Sequence, residues 1–307
     1  MSFIFGVNLC DRIYLSGDTR LTSKKENGEI EGFKDNLIKV EILSTDVMLA
    51  AANSASMAAF LIRKMLKSDL VKMDIRTVRQ NVERILSPMV DEYWSTHNSA
   101  GAVTFIFGGL NRGEKKKFDS KKIHEKVTAF SKADQSQPQM SLRPALFNVL
   151  VEKRYPEPVD SHVFSVQIYP PNIFKFTDAD WGEYLAYGPK GITRDTLPVE
   201  TFGKLEFVEG NSSAGHDHMI ISALTKIVAS DKQAETIGGA VFVGVASEQV
   251  TGAIGGKVHM LDPKTMKTEL VSQTFVVAGT FYMKDERGTN HKLVQLRDYK
   301  DFGSLEI

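Results

Sequence analysis

Four early segments, residues 3–8, 12–17, 37–43 and 47–52, are short, rich in apolar residues and read as strands. Apolar residues then recur at helical spacing over 54–67 and 75–95. The first two segments form a strand pair turned through Cys10 and Asp11; the second two form a pair turned through Ser44, Thr45 and Asp46. Residues 21–36, polar with Gly28 and Gly32, read as a loop between the pairs. Ser54 and Asp74 precede the helical segments and can cap them. The first helix turns Met57, Phe60, Leu61 and Met65 inward; the second turns Ile75, Val78, Val82, Ile85, Met89 and Tyr93 inward. Pro88 inside the second pattern predicts a kink or an early end. Strands resume at 103–109, 162–169, 172–176, 184–188 and 238–245, with a helix over 216–229 before the last. The tail adds strands at 256–261, 268–277, 279–284 and 291–296. Strands on both sides of a helical pair, with no β-α-β alternation, predict an α+β sandwich of helices on sheets.

With 307 residues, 42% hydrophobic and 25% charged, the chain can bury a sizeable core. No repeat or linker divides it, so it reads as one domain, 1–307, with an insertion over 114–160. Thirty-eight basic residues balance thirty-eight acidic ones, which leaves no overall field to draw nucleic acid or an acidic membrane. The basic run at 115–117 and 121–122 reads as the solvated face of the insertion. Cys10, the single cysteine, excludes an internal disulfide framework and fits a reducing compartment. No apolar run reaches the roughly 18 residues of a membrane span, and no secretory signal is legible, so the expected location is cytoplasmic.

Two further patterns are read as structural. His216, Asp217 and His218 are closely spaced, but no other ligand group completes a metal site, so they are assigned to a helix start. The glycine pairs 108–109 and 238–239 lack the strand–loop–helix setting of a phosphate cradle and are assigned to close strand–helix approach. No metal and no cofactor are expected.

Gly17-Asp18-Thr19-Arg20, then Asp35-Asn36-Leu37-Ile38-Lys39, then Ala50-Ala51-Ala52-Asn53-Ser54 opening a helix, resemble the N-terminal half of proteasome β-type subunits and their bacterial HslV-like relatives. The glycine-containing strand at 105–113, the strand through Phe164, and the run Thr236-Ile237-Gly238-Gly239 follow in the same order. This family is the N-terminal-nucleophile (Ntn) hydrolases, and the resemblance implies a four-layer αββα sandwich with 114–160 inserted in a strand hairpin.

Carried over residue by residue, the resemblance makes Ser2, exposed by removal of Met1, the nucleophile. Asp18, sixteen residues later, Arg20 and Lys39 take the family's aspartate, arginine and lysine positions. Lys34 competes with Lys39 by its distance from Ser2, but Lys39 has the strand context. A backbone N–H near Ala52 and Asn53 would serve the oxyanion. Glu235 and Thr236 stand where the family has the residues that set the free amine, and Gly188-Pro189-Lys190-Gly191 replaces its Gly-Ser-Gly turn. The chemistry explains the residue types: an α-amine of pKa about 8 can take the adjoining hydroxyl's proton near neutral pH. A nearby ammonium keeps that amine neutral, and an aspartate holds the ammonium in place.

The resemblance thus implies a peptidase or amide hydrolase assembled with copies of itself into a ring or stack, acting on a peptide or amide, with room for a regulatory partner. The helices at 54–67 and 75–95 are candidates for that packing. Two other readings of the same sandwich are a catalytically silent assembly protein and a small-molecule amidohydrolase.

Overall fold

A computed structural model describes residues 3–8, 12–25, 29–97, 101–115, 159–179, 184–188, 238–247, 251–255, 257–261, 268–277, 280–284 and 287–301. The strands in chain order are β1 (Ile4–Asn8), β2 (Arg12–Asp18), β3 (Leu21–Lys24), β4 (Ile30–Lys34), β5 (Leu37–Ile38), β6 (Val40–Ile42) and β7 (Val47–Asn53). Helices α1 (Ala55–Met65) and α2 (Ile75–Thr96) follow. After them come β8 (Val103–Lys115), β9 (Val159–Tyr169), β10 (Ile173–Ala179), β11 (Tyr184–Tyr187), β12 (Val241–Ser247) and β13 (Thr251–Gly255). The last strands are β14 (Lys257–Leu261), β15 (Thr268–Val277), β16 (Thr280–Lys284), β17 (Asn290–Lys292) and β18 (Val294–Gln295).

Two five-stranded sheets organise this mixed α/β fold. One runs β11-β1-β2-β12-β13 and the other β10-β9-β8-β7-β6, with a third, β14-β15-β16-β17, beside them. Period-two alternation sorts each strand's side chains between its two faces. Ile4, Ile13, Leu15 and Phe242 from the first sheet meet Met48, Ala50, Ile106 and Val163 from the second in one apolar core. The opposite residues of the second sheet, Leu49, Ala51, Phe105, Phe107 and Phe164, pack under Met57, Leu61, Val78 and Val82 of the helices. On the first sheet Phe5, Val7, Tyr14, Val241 and Val243 are also buried, on the face turned away from the inter-sheet core. β8 and β9 pair antiparallel across the interval that contains the insertion.

Helix starts follow their caps. Ser54 Oγ accepts from the Met57 N–H at 3.4 Å, and Asp74 Oδ1 accepts from the Thr77 N–H at 2.9 Å. Several expectations are corrected. Residues 21–34 contain the hairpin β3–β4 rather than loop alone. The strand expected over 37–43 is interrupted at Lys39, and 291–296 divides into β17, β18 and a 3₁₀ turn at Leu296–Asp298. Helix α2 runs through Pro88 because Pro88 and Arg84, four residues earlier, both face solvent, where water can serve the freed carbonyl. Its buried stripe holds Leu86 and Val90 in place of Ile85 and Met89, which are only partly buried.

The glycine pairs are corrected too. A Cβ on Gly108 would lie 2.6 Å from Ile13 in the facing sheet, and one on Gly109 would lie 2.0 Å from the Asp46 carbonyl. Neither faces a helix. Cys10, the helix at 216–229, the His216–His218 group and residues 116–158 lie outside the described residues.

Candidate active site

Asp18 ends β2 with no exposed surface, and three donors converge on its carboxylate. The Phe3 N–H reaches Oδ1 at 3.0 Å, Lys39 Nζ reaches the same oxygen at 2.5 Å, and the Gly238 N–H reaches Oδ2 at 3.2 Å. Lys39 lies between β5 and β6, with its carbonyl bonded to the Ala51 N–H of β7, and its side chain reaches Asp18 on the first sheet. It is 2% exposed, and its Nζ also donates to the Arg20 carbonyl at 2.5 Å. Gly17 admits this crossing: a Cβ there would come within 3.2 Å of Lys39 Cβ.

Burial pushes the Lys39 ammonium below its ordinary value of 10.5, against the opposing charge of Asp18. Burial pushes the Asp18 carboxyl up, against the Lys39 charge and the hydrogen bonds from Lys39, Phe3 and Gly238.

Arg20 stands beside the pair without touching the Asp18 carboxylate. Its guanidinium forks onto Asp35 at 2.6 and 2.7 Å and lies over the Phe33 ring, 3.9 Å from the centroid. A Cβ on Gly238 would fall 2.2 Å from Arg20 Cζ, and Gly239 has φ +73° against Thr19 Oγ1. The double glycine therefore serves close approach to the site. Thr19 Oγ1 accepts from the Ala240 N–H at 2.8 Å, which locks the start of β12 to the turn after β2.

The oxyanion expectation also acquires a direction. The Ala51 N–H bonds the Lys39 carbonyl at 2.9 Å and the Ser54 N–H bonds the Ala102 carbonyl at 3.2 Å, so odd residues of β7 point their N–H groups toward β6 and even residues toward β8. The Asn53 N–H thus points to the Lys39 side and the Ala52 N–H away from it. Asn53 adopts φ +75°, which asparagine tolerates better than most residues, and its Nδ2 donates to Thr104 Oγ1 at 3.0 Å.

Between Lys39 and Asn53 lies a narrow, part-open cleft lined by Leu21, Leu37, Ala51, Ala52, Ser54, Ala55, Ala58 and Leu296. The expected residues Asp18, Lys39 and Asn53 are brought together. Arg20 enters through its backbone carbonyl, and Lys34 ends β4 opposite Leu21 while Lys39 holds Asp18. Ser2, Glu235 and Thr236 lie outside the described residues. Sequence reasoning missed Asp35, although it lies within the motif that carried the resemblance, and it missed Leu296, for which no local motif exists. Among the described residues no group of three His, Cys, Asp or Glu could hold a metal ion, and no helix is long and apolar enough to cross a membrane.

No protein-family model and no curated protein matches the chain. Among solved structures, it is similar to the Gly-1 mutant of Anbu from Hyphomicrobium sp. strain MC1, with TM-score 0.46 and 12% identity over 83% of this chain and 86% of that one. It is similar also to Anbu, described as an ancestral beta-subunit, from Yersinia bercovieri, with TM-score 0.45 and 11% identity over 82% and 86%. Likeness at this level carries no argument about the site, which rests on the residues themselves.

Proposed function

We propose that the chain is a proteasome-like N-terminal-nucleophile peptidase or amide hydrolase that works through Ser2 once Met1 is removed. The observation that carries this reading is the convergence of Lys39 Nζ and the Phe3 N–H on one buried oxygen of Asp18. Ser2 is joined covalently to that Phe3 nitrogen, one peptide bond from a buried lysine–carboxylate pair beside a cleft.

In this mechanism the neutral α-amine of Ser2 takes the hydroxyl proton as Oγ attacks the substrate carbonyl carbon. The Lys39 charge favours the neutral amine and the developing alkoxide. The Asn53 N–H donates to the oxyanion. Collapse of the tetrahedral intermediate breaks the C–N bond, and the leaving amine receives the proton held by the α-amine. Water, deprotonated by the same amine, then hydrolyses the ester on Ser2 and restores the hydroxyl. Glu235 and Thr236 support the free amine. A four-layer sandwich, self-assembly and a cytoplasmic location complete the proposal. The buried outward face of the first sheet supports the fourth layer.

Intact-mass measurement of the purified protein, before and after treatment with a peptide electrophile directed at N-terminal nucleophiles, tests the reading. The expected result is loss of Met1 and one adduct that Ser2→Ala abolishes. Retained Met1, or a folded protein that forms no adduct, would overturn it and leave an assembly protein on the same fold.

A further inference from the structure

The cleft beside Lys39 is closed on one side by the last described segment of the chain. Leu296 supplies a third leucine to a lining that also holds Leu21, Leu37, four alanines, Lys39, Asn53 and Ser54, and it is 2% exposed. The segment is fastened along the strand that carries Lys39. β18 pairs parallel with β5, Val294 opposite Leu37, and the Val294 N–H donates to the Asn36 carbonyl at 2.7 Å. Arg297 then grips Glu41, two residues beyond Lys39: its backbone N–H donates to Oε1 at 3.0 Å, while Nε and Nη2 donate to Oε2 at 2.7 and 2.5 Å. From the helix side, Arg63 Nη1 donates to the Arg297 and Tyr299 carbonyls, both at 3.0 Å.

We propose that Leu296 is a specificity-determining residue, the wall that limits the size of the apolar substrate side chain the cleft admits, with Arg297 as the positioning residue that holds it there. The inference rests on reading the cleft as the seat of an amide substrate's side chain. The alanines at 51, 52, 55 and 58 make the room, and the leucines at 21 and 37 belong to strands fixed by the sheets and the hairpin. Leu296 sits on a short 3₁₀ turn that directly follows β18 and is held by the Glu41 and Arg63 contacts. One methylene in an apolar pocket changes preference by roughly 10- to 200-fold, so exchanging Leu296 should reorder ligands that differ in a single side chain.

The test uses the full chain carrying Ser2→Ala, so that binding is read without chemistry. Capped tripeptide amides ending in Ala, Leu or Phe are titrated against the protein carrying Leu296, Leu296→Ala, Leu296→Phe or Leu296→Met, with affinities taken from NMR. Leu296→Ala should raise the preference for Phe over Ala by tenfold or more, Leu296→Phe should shift it as far the other way, and Leu296→Met should leave it near the starting ratio. Arg297→Ala should flatten the size preference, and Arg297→Lys, which keeps the charge without the fork, should restore part of it. Thermal unfolding identifies any variant that has lost the fold, and the conservative Leu296→Met and cavity-filling Leu296→Phe keep the test alive if Leu296→Ala fails. An unchanged preference among folded variants, or no binding of any of the three peptides, overturns the inference. Adduct formation at Ser2 is scored separately. Binding that follows residue 296 in a protein without adducts sustains this inference while the hydrolase reading falls. Adducts with an unmoved preference do the reverse.

Discussion

At the scale of single residues, the Asp18–Lys39 pair is where one substitution has most leverage. Both groups are buried, so removing the cation strands a carboxylate that water cannot reach. Lys39→Met should therefore cost about 3–5 kcal/mol in urea unfolding, and adding Asp18→Asn should recover a large part of that loss. Both variants should lose Ser2 adduct formation, because the field at the amine goes with the pair. Gly239→Ala should also destabilise, by about 1–2 kcal/mol from the left-handed conformation alone and more from the contact with Thr19 Oγ1, 2.3 Å from the added carbon. Asp18 and Lys39 were legible in the sequence because the motifs that hold them, Gly17-Asp18-Thr19-Arg20 and Asp35-Asn36-Leu37-Ile38-Lys39, resemble those of the N-terminal-nucleophile family. That Lys39, and not Lys34, reaches Asp18 was decided by tertiary packing, which sets residue 39 beside Asp18 and places Lys34 opposite Leu21 in the β3–β4 hairpin. The role of Arg20 was not legible for the same kind of reason: a guanidinium goes to the nearest well-placed carboxylate, which folding makes Asp35.

At the scale of elements, two fastenings set the stability of the site's surroundings. Glu41 is buried, and burial pushes its carboxyl up against the hydrogen bonds from Arg297, so the charged form depends on that partner. Arg297→Ala should destabilise by about 2–4 kcal/mol, somewhat below a fully buried pair because Arg297 is partly exposed, and Glu41→Gln by clearly less. Chemical denaturation checks the order. The other fastening joins the start of α2 to β9 and β10. Arg76 forks onto Asp160, Arg79 forks onto Asp178, and His162 donates from Nε2 to Asp178 at 2.9 Å while its Nδ1 lies 3.4 Å from Arg76. Burial, with Arg76 and Arg79 nearby, holds the His162 imidazole below its ordinary 6.5 despite Asp178. A depressed folded-state value means that the unfolded chain binds the extra proton first. The stability His162 contributes is thus complete above pH 6.5 and is lost as pH falls through its lower folded-state value. The Arg79 hydrogen bonds hold Asp178 below 3.8, so a further loss in the same direction follows at still lower pH. Thermal unfolding between pH 7.5 and 5 should show the first decline in the parent protein and a smaller one in His162→Gln.

At the scale of the whole molecule, the proposal of self-assembly predicts a particle several times the mass of one chain in light scattering; a strict monomer would remove it. The sandwich class came from the element order: strands before and after a helical pair, with no β-α-β alternation, leave few ways to bury every apolar face. The sequence by itself determined the strand pairs and the two capped helices, because these depend on residue spacing and on caps a few residues away. It did not determine that polar residues 21–34 contain a hairpin, that Pro88 is tolerated within α2, or that the double glycine at 238–239 serves Arg20 and Thr19. Each of these depends on what stands opposite, whether a partner strand, solvent or a side chain from elsewhere in the chain. The cleft is the clearest case. Residues 21, 37, 39, 51–55, 58 and 296 meet there from four separate segments, and only tertiary packing brings Leu296 beside Leu37 and Lys39. A sequence specifies which groups can carry charge, bury or bend, while the distances that make them one site are set when the two sheets close on each other.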